Sequence, residues 1–228
     1  MTRRWLYSLA LSLVLFLLGS AGAASTGEVC SAFRGGKVEP EIITQMLEAA
    51  SQGHLYRVQQ GFSRVEFCVR HALAGRIHGE FQDFEGGVSL SPDDSIHNRA
   101  LLLVRANSIK TGNAAIEALA KDDLFFDAER YPEILFVSRR FEILDSGKAR
   151  LYGDLTLHGV TRPVAFEVEL DPDAPGRGDA DRLALHARTT VRRSEFGMTH
   201  FKHLVSDEVT LCLKFVVERI PPRMMASG

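Results

Sequence analysis

The chain has 228 residues, 45% of them hydrophobic and 25% charged, with 27 basic and 29 acidic side chains and a formal net charge of −2. That length suits one sizeable domain or two small ones, and the composition sets aside disorder, repeat arrays and coiled coils. A slightly acidic balance gives no basic field to hold nucleic acid.

At the N-terminus Arg3 and Arg4 precede an almost uninterrupted apolar run over 5–18, and Ala21-Gly22-Ala23 forms a small-x-small site. This is the pattern of a cleaved signal peptide, 1–23. The apolar run is shorter than the about 20 residues a spanning helix needs, and no cysteine follows to accept a lipid. The expected location is periplasmic. Cleavage removes two arginines and no acid, taking the net charge from −2 to −4. Cys30, Cys68 and Cys212 would then meet an oxidising compartment, where two can pair and leave one over.

Residues 24–54 read as an N-terminal extension. A loose lead-in is followed by a helix over 39–51, where Ile42, Ile43, Met46, Leu47 and Ala50 recur at helical spacing behind Pro40 and Glu41. From 55 to 218 the texture is that of one β domain, with a tail over 219–228. Strands are predicted over 56–59, 63–70, 75–84, 98–109, 134–144, 148–158, 163–170, 183–193 and 208–218, punctuated by Gly, Asp, Asn and Pro. A helix over 113–124 capped by Asn113 interrupts them, and 171–181 is a solvated loop. Many short strands at near-even spacing indicate a sandwich or barrel.

Alternation sorts the faces. Val65, Phe67 and Val69 share one face and Cys68 the other; Val209, Leu211, Leu213, Phe215 and Val217 share one face and Cys212 the other. The two outward cysteines could bridge if their strands are neighbours, while unpaired thiols or a Cys30 bridge are equal alternatives. Over 151–170 Leu151, Leu155 and Leu157, then Val164, Phe166, Val168 and Leu170, alternate with polar residues around a turn bracketed by Gly159 and Pro163. This is an antiparallel hairpin with one wet face, which carries Asp154 and His158.

Catalytic patterns are missing: there is no GxSxG elbow, P-loop or dinucleotide fingerprint. His200 and His203 could share a metal only on a helix, and they sit beside Gly197 between strands. Asp122, Asp123 and Asp154 read as turn or rim residues, and a paired-carboxylate hydrolase needs two acids converging in space. No catalytic residue, metal or cofactor is predicted. The 14 phenylalanines, against one Trp and four Tyr, fall mostly on apolar strand faces. An eight-stranded barrel is just wide enough to fill with side chains or to hold one slender ligand. Burying about ten methylenes of such a ligand gives a gross ~8 kcal/mol, and ordering costs reduce this to micromolar binding.

The segments SRVEFCVRH (63–71), GEFQDFEGGV (79–88), NSIKTGN (107–113), DDLFFDAERYPEILFVS (122–138), GDLTLHGVTRPV (153–164) and RRSEFGM (192–198) together resemble the YceI-like family. These are bacterial lipocalin-like proteins, often periplasmic, described as polyisoprenoid-binding. The resemblance implies an all-β fold: an antiparallel eight-stranded lipocalin-like barrel with a short helix between strands, here with the extra N-terminal helix. Its apolar interior would take a long-chain isoprenoid, a quinone tail or a similar amphiphile. Carried onto this chain, the ligand-lining candidates are Phe67, Val69 and His71 from F-x-V-x-H, and Phe81 and Phe84 from G-x-F-x-x-F. Phe136 and Ser138 come from F-x-S, and Phe196 and Met198 from S-[DE]-F-G-M. Polar rim groups such as His71 or Arg162 would meet the head group. Two rivals predict differently. A small-barrel enzyme would place a titratable group deep in the pocket, with His71 or Asp154 essential. A stress or assembly protein would have a solidly packed barrel and act through its surface, as through the 39–51 helix. The expected partner is an amphiphilic lipid. A transient membrane contact, an inner-membrane redox partner or a homodimer is compatible with that reading, though no residue specifies one.

Overall fold

The computed structural model describes residues 38–91, 97–145, 147–171 and 181–222. The expected signal peptide, Cys30, most of the 171–181 loop and the end of the C-terminal tail lie outside them. Two α-helices, Pro40–Ser51 and Ala114–Lys121, accompany eleven described strands. These are β1 (Leu55–Val58), β2 (Arg64–His71), β3 (Gly75–Phe81), β4 (Phe84–Ser89), β5 (Arg99–Arg105), β6 (Ile109–Lys110), β7 (Glu133–Asp145), β8 (Lys148–Leu157), β9 (Val160–Leu170), β10 (Arg182–Arg192) and β11 (Val205–Arg219).

Eight strands close into an antiparallel ring in the order β1-β4-β5-β7-β8-β9-β10-β11, with β1 pairing back onto β11. The remaining three prolong it at one end. β11 pairs β1 through Val217 to Arg219 and β2 through Val205 to Lys214, so β2 continues β1 along the same neighbour. β3 runs into β4, and β6 continues β5. The strand expected over 75–84 is therefore two, broken at 82–83. Its second half escaped the alternation pattern because of Gly86 and Gly87. Gly86 is required, since a Cβ there would stand 2.6 Å from the Leu101 carbonyl oxygen.

The 151–170 hairpin turns one step earlier than Gly159 and Pro163 suggest. His158 and Gly159 both take positive φ, 52° and 73°, as a two-residue primed turn demands, and β9 starts at Val160. Pro163 lies inside β9 opposite Asp154, where β9 has no β10 partner, so its missing N–H leaves no ladder bond unmade. The β9–β10 ladder runs only from Leu170↔Leu185 to Glu167↔Arg188. Beyond it the strands part, and Arg162 Nε donates to the Glu195 carbonyl at 3.1 Å.

β5 shows why four consecutive apolar residues, Leu101 to Val104, are all buried. Leu102 and Val104 face the barrel interior with Phe136 and Leu155. Leu101 and Leu103 face outward, where Ile42, Ile43, Met46 and Ala50 of the Pro40–Ser51 helix cover them together with Leu135 and Val137. Met46 is fully buried there, worth about 1.5–3 kcal/mol relative to exposure. The helix thus lies against the outer wall. A bulge in β7 turns Arg139 outward. Its guanidinium holds Glu39, the residue before the helix, at 2.9 and 3.1 Å and Asp154 at 2.8 Å. Those bonds hold the Glu39 carboxyl below its usual range and raise Arg139.

Candidate functional site

The ring's interior divides into a filled and a hollow part. Toward β1 and β4, Tyr56, Val58, Phe84, Val88 and Val217 are buried in one cluster with Phe215 against them. Toward the opposite end the wall encloses a cavity of about 450 Å³, within the range of about 300–1,000 Å³ typical of small-molecule sites. Phe136 and Phe166, edge to face at 5.2 Å, line its inner end. At its mouth stand Ile116, Leu119 and Ala120 of the Ala114–Lys121 helix, Phe125 and Phe126 of the following turn, and Phe201 and Leu204 of the β10–β11 connection. Whether the barrel is filled or hollow is open in the sequence; the solidly packed interior that the surface-acting rival requires is not what the structure has.

Local sequence explains how the walls leave this space. Phe67 stands opposite Gly79 in the β2–β3 ladder, and its ring lies where a Cβ of residue 79 would be, 2.3 Å away. Gly153 makes the same room for Phe136 at 2.6 Å. Each ring lies flat against a neighbouring strand instead of crossing the lumen. Phe126 presents itself edge-on to both Phe67 and Phe81, with centroids at 6.3 and 5.6 Å. The mouth helix is positioned by Asn113, whose side chain accepts the N–H groups of Ala115 and Ile116. Glu117 reaches back to the amides of Thr111 and Gly112. The Thr111 bond chiefly holds the Glu117 carboxyl below its usual range, with Lys110 helping against burial.

Six of the nine predicted lining residues face the cavity: Phe67, Val69, His71, Phe81, Phe136 and Met198. Three do not, each for a definable reason. Phe84 belongs to the filled part, its ring 6.2 Å from Phe215. Ser138, fully buried, accepts the Ala100 N–H on its hydroxyl at 2.6 Å, just beyond the last β5–β7 pair, Leu101↔Val137. Phe196 is buried at the barrel's end, and its carbonyl is bonded by the His158 ring at 3.0 Å.

The cavity wall is almost entirely carbon. His71 lines it, yet its Nδ1 accepts the backbone N–H groups of Leu73 and Ala74 at 3.2 and 3.0 Å. The ring thereby holds the β2–β3 turn and leaves Nε2 for a ligand. Arg162 is exposed outside the lining, bonded to Glu195, and so meets no head group here. Asp154 likewise lies on the outer wall in the Arg139 clamp. Asp122 and Asp123 are exposed neighbours outside the cavity, where the Asp122 carboxylate raises Asp123.

Among the lining residues that sequence reasoning did not name, one is a buried arginine. Arg193 is 4% exposed and lines the cavity, but it spends its N–H groups on the carbonyls of Ser206, Met198 and Val205. Burial lowers its pKa, against the charge of Asp207. Burial pushes the Asp207 carboxyl up, but the Ser194 hydroxyl and amide and the nearby arginines outweigh this and hold it below its usual range. Arg193 therefore ties the β10–β11 connection together and offers the lumen its stem. An arginine in RRSEFGM next to an apolar strand was the only available signal.

Cys68 and Cys212 are on neighbouring strands, but Cys68 stands opposite Thr210 and Cys212 opposite Glu66. The two cysteines are thus staggered by two residues, and both thiols are free. Among the described residues no group of three or more His, Cys, Asp or Glu is placed to hold a metal.

Comparison with known proteins agrees with this architecture. The YceI-like domain family model matches residues 56–217. A UPF0312 protein of Pseudomonas putida (strain W619) is 28% identical over 134 residues, covering 59% of this chain and 70% of that protein. Among solved structures, BcnA of Burkholderia cenocepacia superposes with a TM-score of 0.62 at 21% identity, covering 70% of this chain and 98% of that one. A polyisoprenoid binding domain from Saccharophagus degradans, implicated in plant cell wall breakdown, gives 0.58 at 16% identity, with 72% and 98% covered. At these identities the structural likeness is one of fold.

Proposed function

This chain belongs to the YceI-like domain family, and on that premise we propose that it is a binding or carrier protein for an isoprenoid-type lipid, polyprenyl or quinone-like, held by its chain in the barrel cavity. The observation that carries this reading is the cavity: about 450 Å³, walled by carbon and open at one end. Such a site rewards an apolar chain through desolvation and supplies almost nothing to a polar one. At about 0.8 kcal/mol per methylene, chain length sets affinity, and the head group stays at the mouth beside His71 Nε2. The polyisoprenoid-binding domain of shared fold supports the ligand class. The 1–23 segment, with its basic start, apolar run and small-x-small site, supports export and action in the periplasm.

Native mass spectrometry and lipid extraction of the protein purified from its own host test this directly. A co-purifying polyprenyl or quinone species, or saturable binding of added farnesol, is expected. A clean apo mass together with no farnesol binding overturns it.

A further inference from the structure

We propose that one side of the cavity mouth is a docking surface for an anionic phospholipid bilayer, so that the barrel exchanges its apolar cargo at the lipid surface. The purpose of this contact rests on the carrier reading above; its geometry does not. Two connections build that side: residues 72–74 between β2 and β3, and residues 197–204 leading into β11. They are tied by the Ala72 N–H donating to the Leu204 carbonyl at 2.8 Å. At their tips Leu73 is 85% exposed, Phe201 43% and Leu204 40%. Phe201 and Leu204 also line the cavity, so the exposed apolar surface runs without a break into the lumen. Single exposed leucines are ordinary; an apolar patch continuous with a cavity marks an interaction site.

Charge selects the partner. No acid occurs between Glu66 and Glu80 or between Glu195 and Asp207, and these two stretches hold Arg70, Arg76 and Lys202. Arg70 and Arg76 stand opposite each other in the β2–β3 ladder. All three cations are exposed, and among the described residues none stands within ion-pair distance of an acid. Asp122, Asp123 and Glu129 are exposed outside these two stretches, on the neighbouring turn whose Phe125 stacks on Phe201. The docking side is therefore the part of the mouth that these two connections build. Protruding apolar tips ringed by unpaired, long cationic side chains suit an anionic headgroup layer over an apolar interior.

Flotation of the host-purified protein with mixed phosphatidylglycerol–phosphatidylcholine vesicles, and with phosphatidylcholine alone, tests the proposal. The protein is expected to float with the anionic vesicles and to be released by salt. The combined Arg70→Gln, Arg76→Gln, Lys202→Gln variant loses about a hundredfold in partitioning, about fivefold per cation. Leu73→Ser loses about tenfold. None of the four lines the cavity, so each variant keeps its thermal melt and its farnesol affinity in solution. No flotation with farnesol binding intact, or equal flotation of the triple variant, overturns the docking surface and leaves the carrier reading standing. Flotation without farnesol binding does the reverse. Concentration-dependent self-association abolished by Leu73→Ser, with no flotation, would give this face to a second copy of the chain and also overturn the proposal.

Discussion

Phe84 and Phe215 pack ring against ring among Tyr56, Val58, Val88 and Val217, outside the cavity lining. Phe67, Phe81 and Phe126, nearer the mouth, contact one another just as closely, yet they wall a space of about 450 Å³. Rings are not scarce in the hollow region, which seven phenylalanines line. The difference lies in what faces each ring. In the filled region rings and branched side chains meet across the lumen, as close packing requires. In the hollow region Phe67 and Phe136 lie over Gly79 and Gly153 on neighbouring strands, and the ladder between β9 and β10 has ended. Filling or emptying a barrel of this width is decided by a few small residues that let large ones lie flat.

This contrast can be broken most visibly in the filled region. Phe84→Ala should cost about 3–5 kcal/mol of stability, read as a lowered thermal midpoint, and leave farnesol affinity in the folded protein unchanged. A loss of affinity matching the loss of stability would show that the two regions are one. In the hollow region the expected order reverses. Val209→Phe projects into free space, so the melt should hold within about 1.5 kcal/mol while farnesol affinity falls at least tenfold; titration calorimetry reads the second quantity. Leu211→Ala should cost about 1 kcal/mol in a denaturant melt. This is less than the 2–5 kcal/mol usual for leucine in a filled core, because its side chain already lacks neighbours on the cavity side.

The smallest effect concerns the polar ties that replace packing at the mouth. Asp207 has a carboxyl held below its ordinary value. Its contribution is therefore present above the unfolded value near pH 4 and is lost as pH falls through the folded one. Urea melts of Asp207→Asn should show a slight destabilisation at neutral pH that shrinks toward zero in acid. A gap that widens in acid would refute the assignment.

Alternation made much of the barrel legible, because a half-buried strand must show its period. It marked the 151–170 hairpin, the inward face of β2 and the long face of β11. It faltered where that premise fails. Leu101 to Val104 have no wet face because a helix covers the outside, and Gly86 and Gly87 carry no side chain to alternate. The site was legible in kind but not in membership. Ser138 and Phe84 are spaced like lining residues, yet a bond to the Ala100 amide and a depth in the lumen remove them, and neither shows in residue type. Arg193 reads as a surface charge until the carbonyls of three residues along the next connection are brought around it. Arg162 and Asp154 read as rim candidates, but Asp154 stands on the hairpin's outer face, and Arg162, opposite Leu155, reaches across the β9–β10 gap to the Glu195 carbonyl.

The parting of β9 and β10 has a consequence for what the barrel can admit. A sheet hydrogen-bonded all the way round has its circumference set by strand number and stagger, and it can change only by breaking bonds in whole steps. Here the mouth half has one seam without a ladder, crossed by the Arg162–Glu195 contact and braced on the far wall by the N-terminal helix. Its girth can therefore vary continuously along that seam, as a branched chain with methyl groups at intervals would need when threading through.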